Sequence, residues 1–330
     1  MPDTKVTLDF SVARHRVALT APPELIDDVV VRVAPYLTAG ASTGTAQWTV
    51  QFGADPRFDC SNKQQVVLRS TTEPEAVLWV DHRIRRIVVA PSTPPGFAAH
   101  LAARYLRIVL RLCLAASSNE IFPHAGMVAR PQRAGVVVLG PKRAGKTSTL
   151  LSAMISGAVF VGNDDVSIAR TGSGWIGRGW PRAISVRRDT FDALGIRPEN
   201  VVPTASGHPG DGSGIGSVML LPSALAGALR APAVQASAPV TALVFPQFAE
   251  ESPPKLRPLA RAETARRLLG ELLPQPVKQA DFLLPHFSAA SRTSTTRLCN
   301  RLAAEVPAFE LRQNFRDLRS GAARLTTLLD

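Results

Sequence analysis

The stretch Gly140-Pro141-Lys142-Arg143-Ala144-Gly145-Lys146-Thr147 decides the reading of this chain. It fits the pattern G-x-x-x-x-G-K-[ST], and the sequence on both sides fits the pattern's context. Upstream, Ala134-Gly135-Val136-Val137-Val138-Leu139 is a short apolar run rich in β-branched residues, as expected of a buried strand. Downstream, Thr147 to Met154 starts a helix that Gly157 ends. A loop between such a strand and helix offers backbone N–H groups and a positive helix end to a polyphosphate. The expectation is a bound nucleoside triphosphate, held by Gly140, Pro141, Lys142, Arg143, Ala144, Gly145, Lys146, Thr147 and Ser148. In that role Lys146 reaches the β/γ-phosphates and the Thr147 hydroxyl sits on Mg²⁺.

A phosphate-binding loop alone implies only nucleotide binding. The next strand candidate, Ala158-Val159-Phe160-Val161-Gly162, runs straight into Asn163-Asp164-Asp165. Phosphoryl transfer to an alcohol needs a ligand for Mg²⁺ and a carboxylate that orients the hydroxyl and takes its proton. Asp164 and Asp165 lie one helix and one strand beyond Lys146. If the two strands are sheet neighbours, the pair emerges beside the γ-phosphate. Acidic residues are also common in turns, where one Asp caps the backbone, but the position directly after an apolar strand favours catalysis or metal binding. His124 precedes the loop strand in a short apolar segment and by itself reads as a satisfied core histidine.

A chain of 330 residues with 45% apolar content buries a large core, as one large domain or two of ordinary size. The net charge of +12, from 38 Lys and Arg against 26 Asp and Glu, suits anionic partners: nucleotides, phosphorylated metabolites, acidic peptides or nucleic acid. No helix-turn-helix, zinc-finger or single-strand-binding signature is present and aromatics are 6%, so nucleic acid is not the expected partner. Cys60, Cys113 and Cys299 stand far apart in no metal-ligand spacing, which fits a reducing cytosol. Met1 to Lys5 lacks the basic-then-apolar pattern of a secretory signal. The longest apolar run, Phe97 to Ala116, carries His100, Arg104, Arg107 and Arg111 at helical spacing and reads as an amphipathic helix, not a span. A cytoplasmic protein with no membrane partner is expected.

Ahead of the loop the chain is β-rich. Strands are expected at 6–12, 16–20, 47–52, 65–69, 76–80 and 85–90, with a helix at 23–30 and a hairpin turn at Asp81-His82. The stretch Pro91-Ser92-Thr93-Pro94-Pro95-Gly96 marks the boundary, giving an N-terminal α+β packing or recognition domain over 1–94 and a nucleotide-binding domain over 95–330. Later come a strand at 241–246, a largely helical region from Ala260, and a last strand at 306–311. The glycine-rich stretch 207–217 is long enough for a lid or a surface loop.

In order and spacing, His124-Ala125, the loop at 140–147, Gly157, Asn163-Asp164-Asp165 and Pro181-Arg182 before the aliphatic Ala183-Ile184-Ser185-Val186 resemble the HPr serine kinase family. That family has the phosphoenolpyruvate-carboxykinase-like variant of the P-loop fold, so the resemblance implies an α/β, HPr-kinase-like catalytic domain. It is clearest from Ile121 to Val186 and extends weakly through 242–246 and 259–263. It implies that Asp164 is the general base, that Asp165 helps Thr147 hold Mg²⁺, that His124 stands near the pair, and that Arg182 offsets phosphoryl charge. The chain departs from the sugar-regulation kinases. Gly145-Lys146-Thr147-Ser148 stands where they have Gly-Lys-Ser-Glu, and a Glu-Ile-Arg-Gly signature is absent. The resemblance therefore points to a divergent relative, closer to peptide-tailoring or small-molecule kinases.

The expectation is an ATP- and Mg²⁺-dependent kinase that phosphorylates a Ser/Thr hydroxyl of a peptide or protein. The alternatives are a small-molecule alcohol kinase and a non-catalytic nucleotide switch. A homo-oligomer is left open.

Overall fold

The computed structural model describes residues 5–53, 63–69, 73–116, 119–131, 133–196, 217–250, 253–273, 280–288 and 291–330. Of the 207–217 stretch only Ser217 falls among them, and Cys60 lies outside. The chain forms two compact units. The first runs to Ala116 and takes in the short 3-10 turn Asp281–His286; the second holds the other described residues.

In the first unit, β1 (Val6–Val12), β2 (His15–Ala21), α1 (Pro23–Val33), β3 (Thr38–Ala41) and β4 (Trp48–Phe52) come first. They are followed by β5 (Gln64–Leu68), β6 (Ala76–Asp81), β7 (Arg86–Val89) and α2 (Pro95–Ala116). One sheet takes the order β3-β1-β2-β4-β7-β6-β5. The expected turn between β6 and β7 forms because Asp81 Oδ1 accepts the N–H groups of Arg83 and Ile84. Helix α1 begins on Pro23 at its first turn and buries Ile26, Val29 and Val33 on one stripe.

Helix α2 corrects two expectations. It packs on β2, β4 and α1, so the units part after Ala116, not at 94. It is also buried nearly all round, with Phe97, Leu101, Tyr105, Leu106, Ile108 and Leu112 in the core. Each of the Leu, Ile and Phe side chains contributes about 1.5–3 kcal/mol. The basic residues do not form a solvated face: Arg104 pairs with Glu73, and Arg111 is fully buried.

The second unit opens with β8 (Glu120–Ile121), β9 (Ala125–Ala129), β10 (Gly135–Leu139), α3 (Lys146–Ile155) and β11 (Val159–Gly162). Next come β12 (Val166–Thr171), β13 (Gly174–Gly179), β14 (Ile184–Arg187), α4 (Arg188–Leu194), β15 (Ser217–Leu220) and α5 (Pro222–Ala228). The chain ends with β16 (Ser237–Phe248), β17 (Lys255–Pro258), α6 (Arg261–Gly270), α7 (Arg292–Glu305), β18 (Ala308–Gln313) and α8 (Leu318–Thr326). The architecture is mixed α/β. The sheet order is β11-β9-β10-β16-β13-β12-β8, with β18 on β16 and β17 on β18.

Strand β10 is buried on both faces, which is why it reads as an unbroken apolar run. Val136 and Val138 pack with Leu150, Leu151 and Met154 of α3 and with Leu325 of α8. Val137 and Leu139 pack on the other face with Leu268 of α6 and Leu302 of α7. Pro246 is tolerated inside β16 because it lies beyond the last pair with β10, Val138 against Val244.

Candidate functional site

The site is built on one edge of this sheet. Strand β10 stops at Leu139, and the loop that follows is held by unusual backbone angles: φ is +150° at Gly140, +73° at Arg143 and +98° at Gly145. Gly145 is the N-cap of α3 and supplies no side chain, so the first-turn N–H groups of the helix have no side-chain cap. A Cβ on Gly145 would stand 2.7 Å from Phe248 Cζ, so the aromatic ring on β16 requires glycine here. The Lys146 side chain is buried and folds back over the loop, donating to Gly140 O at 2.5 Å and Pro141 O at 3.1 Å. Its ammonium therefore sits inside the turn of the loop. Lys142 and Arg143 are exposed. The Ser148 hydroxyl lies against that of Thr190 at 3.3 Å.

The strand before the Asp pair is not the sheet neighbour of the loop strand. Strand β9 lies between β10 and β11 and is antiparallel to both, with Leu139 opposite Ala125 and Gly162 opposite Met127. The physical result still brings the groups together. The C-terminal ends of β10 and β11 and the N-terminal end of β9 share one edge. His124, immediately before β9, thus stands between the loop and the pair. Its Nε2 is 3.1 Å from Asp164 Oδ1.

Asp164 has φ +61°, a left-handed conformation that Asp and Asn adopt more readily than other side-chain-bearing residues. Strain of this kind costs about 1–3 kcal/mol and tends to persist at functional positions. Burial pushes the Asp164 carboxyl up, but the hydrogen bond from His124 and the charges of Arg182, His124 and Lys146 outweigh it and hold the group below the usual carboxylate value. Asp165 is buried and pairs with Arg182, Oδ2 to Nη1 at 3.3 Å. That pair exists because β12 and β13 form a hairpin in register Val166 with Gly179. Arg182, three residues past Gly179, returns beside Asp165, one residue before Val166. The negative charge of Asp165 raises the Arg182 value, burial opposes it, and Asp164 adds to the rise.

Two features of the site had no signal in the sequence. Asn163 Oδ1 accepts the Thr147 hydroxyl at 3.4 Å and so ties α3 to the Asp turn. The segment after α6 pairs with the residues before β9: His124 N–H donates to Glu271 O at 2.7 Å, and Leu273 N–H to Phe122 O at 3.0 Å. This places Glu271 at the site from 147 residues beyond His124 in the chain, a separation across which no local pattern operates. A cavity of about 700 Å³ opens there, bounded by the loop from Gly140 to Ala144, Phe245 to Phe248, Arg266, Arg267 and Glu271.

The sequence matches no protein-family model and no curated protein. A structure of the HPr(Ser) kinase/phosphatase from Coxiella burnetii aligns with 63% of this chain and 96% of its own, at 12% identity and a TM-score of 0.31. That likeness is too weak to decide fold or chemistry.

Among the described residues, no group of three or more His, Cys, Asp and Glu is placed to hold a metal, and no helix is long and apolar enough to cross a membrane. The oxygens near the loop, from Thr147, Asn163, Asp164 and Asp165, are hard donors. They fit Mg²⁺, which keeps waters and phosphate oxygens around one or two carboxylates, better than a metal that needs a closed protein cage.

Proposed function

We propose that this chain is an ATP-dependent kinase that moves the γ-phosphate to an alcohol, either a Ser/Thr side chain of a peptide or protein or a small hydroxylated compound. The observation that carries the reading is the antiparallel strand β9. It sets His124 against Asp164 at the sheet edge where Lys146 lies in its loop. Nucleotide binding alone does not call for such a constellation.

In this reading the uncapped N–H groups of α3, the loop backbone and Lys146 hold the triphosphate. Lys146 exchanges the carbonyls of Gly140 and Pro141 for phosphate oxygens. Asp164 is ionised at neutral pH, and with Oδ1 held by His124 its Oδ2 orients the acceptor hydroxyl and takes its proton. The new bond joins the acceptor oxygen to phosphorus, and the bond from phosphorus to the ADP oxygen breaks. Arg182, fixed by Asp165, faces the charge on the passing group. Thr147 and Asp165, with Asn163 beside them, are the residues that would hold Mg²⁺, which supplies neutralisation of phosphate charge when bound.

The test separates binding from transfer. Asp164→Asn keeps ATP affinity within about twofold and lowers phosphoryl transfer by about a hundredfold or more. Transfer by Asp164→Asn at the wild-type rate removes Asp164 as the base. Loss of ATP binding in the same variant makes it a structural residue.

A further inference from the structure

The cavity beside the loop has one wall that the roles above leave unused. Arg266 lines it from α6, is exposed, and has no ion-pair partner among the described residues. Its neighbour Arg267 differs. It donates to Glu263 at 2.7 Å and Glu310 at 2.6 Å and lies over the Phe245 ring, so its charge is taken up inside the protein. Lys142 and Arg143 also line the cavity and are exposed. Three cations thus face a space to which Glu271 contributes the acid.

Glu271 also fixes which end of the reaction the cavity serves. Its carbonyl takes the His124 N–H. Burial raises its carboxyl value, and the charges of Lys146 and His124 pull the other way, so both lie within electrostatic reach. Glu271 thus joins the cavity to His124, the residue that holds Asp164, and the cavity extends from Glu271 to Arg266 on α6. The aromatic walls do not make it a slot for a nucleobase. Phe245 is covered by Arg267, while Phe248 packs edge-on against Phe315 and against the Gly145 backbone.

We propose that the phosphate acceptor carries an anionic group of its own, a carboxylate or a phosphate, which Arg266 binds in this cavity while the acceptor hydroxyl points to Asp164. Lys142 and Arg143 add field at the mouth and keep neutral alcohols at a disadvantage. The inference rests on the kinase reading and names the substrate class for that same site.

Matched acceptors test it with labelled ATP: N-acetylserine against N-acetylserinamide, and glycerol 3-phosphate against glycerol. At least one charged member should exceed its neutral partner by about tenfold or more in kcat/KM. Which pair shows the preference distinguishes carboxylate from phosphate. Arg266→Ala should bring that ratio close to one through the KM of the acceptor and not of ATP, and Arg266→Lys should restore part of it. Equal use of charged and neutral members overturns the proposal and leaves the kinase reading standing, as does an Arg266→Ala defect confined to the KM of ATP. Calorimetric titration of the same compounds into protein loaded with a non-hydrolysable ATP analogue covers the remaining case. Binding of a charged member that Arg266→Ala abolishes, without transfer, supports the anion site and refutes the kinase reading. Neither transfer nor binding overturns both.

Discussion

Gly145→Ala is the sharpest probe of how the loop is held. Two costs add. Residue 145 has φ +98° and ψ +11°, where an L side chain is disfavoured by about 1–2 kcal/mol. The new Cβ would also stand 2.7 Å from Phe248 Cζ and 3.0 Å from Cε2. The Phe248 ring cannot simply swing away, because Phe315 meets it edge-to-face with centroids 5.2 Å apart. Overpacking of this kind costs about 1–3 kcal/mol, so the sum is about 2–5 kcal/mol, or about 4–20 °C in Tm for a domain of this size. Calorimetry on the variant measures the shift, and ATP titration shows whether the loop has moved instead. A double variant with Phe248→Ala should recover the steric share and not the backbone share, which a double-mutant cycle separates. A Tm within about 1 °C of wild type with unchanged ATP affinity refutes the argument.

Other consequences are read more simply. His124→Ala removes the hydrogen bond that lowers the Asp164 value and leaves burial to raise it, so the acid limb of the rate-pH profile should move to higher pH; an unmoved limb contradicts the assigned contact. Because the folded-state value of Asp164 is depressed, its contribution to stability is present above about pH 4 and lost as pH falls through that depressed value. Acid denaturation of Asp164→Asn should accordingly be less steep than that of wild type. Asp165→Ala leaves the Arg182 guanidinium without its carboxylate and should lower stability by about 1–3 kcal/mol in urea, more than Asp164→Asn does; the reverse order contradicts the pairing. Lys146→Met should weaken ATP binding about tenfold to a hundredfold by calorimetry, and unchanged affinity removes Lys146 from the phosphate site.

The sequence made legible what local patterns determine. The apolar run 135–139, the glycines of the loop, the helix to Ile155 and its stop at Gly157 all carry their signals within a few residues. His124, Asp164, Asp165 and Arg182 were singled out, and the fold gathers them. The route was not legible, because the pairing of β9 between β10 and β11 depends on sheet contacts with no sequence-local mark. Helix α2 misled for a similar reason. Whether Arg104 faces water or Glu73 depends on a residue 31 positions away. Gln313 shows the same limit, since its amide donates to Thr149 Oγ1 at 2.6 Å across 164 residues.

The central claim is tested most directly by the fate of the γ-phosphate. Wild-type protein with Mg²⁺ and labelled ATP, given serine-containing peptides, hydroxy acids and polyols, should place label in an acid-stable C–O–P ester, and Asp164→Asn should not. Label released only as inorganic phosphate, or tight ATP binding with no label transferred to any acceptor, contradicts the account.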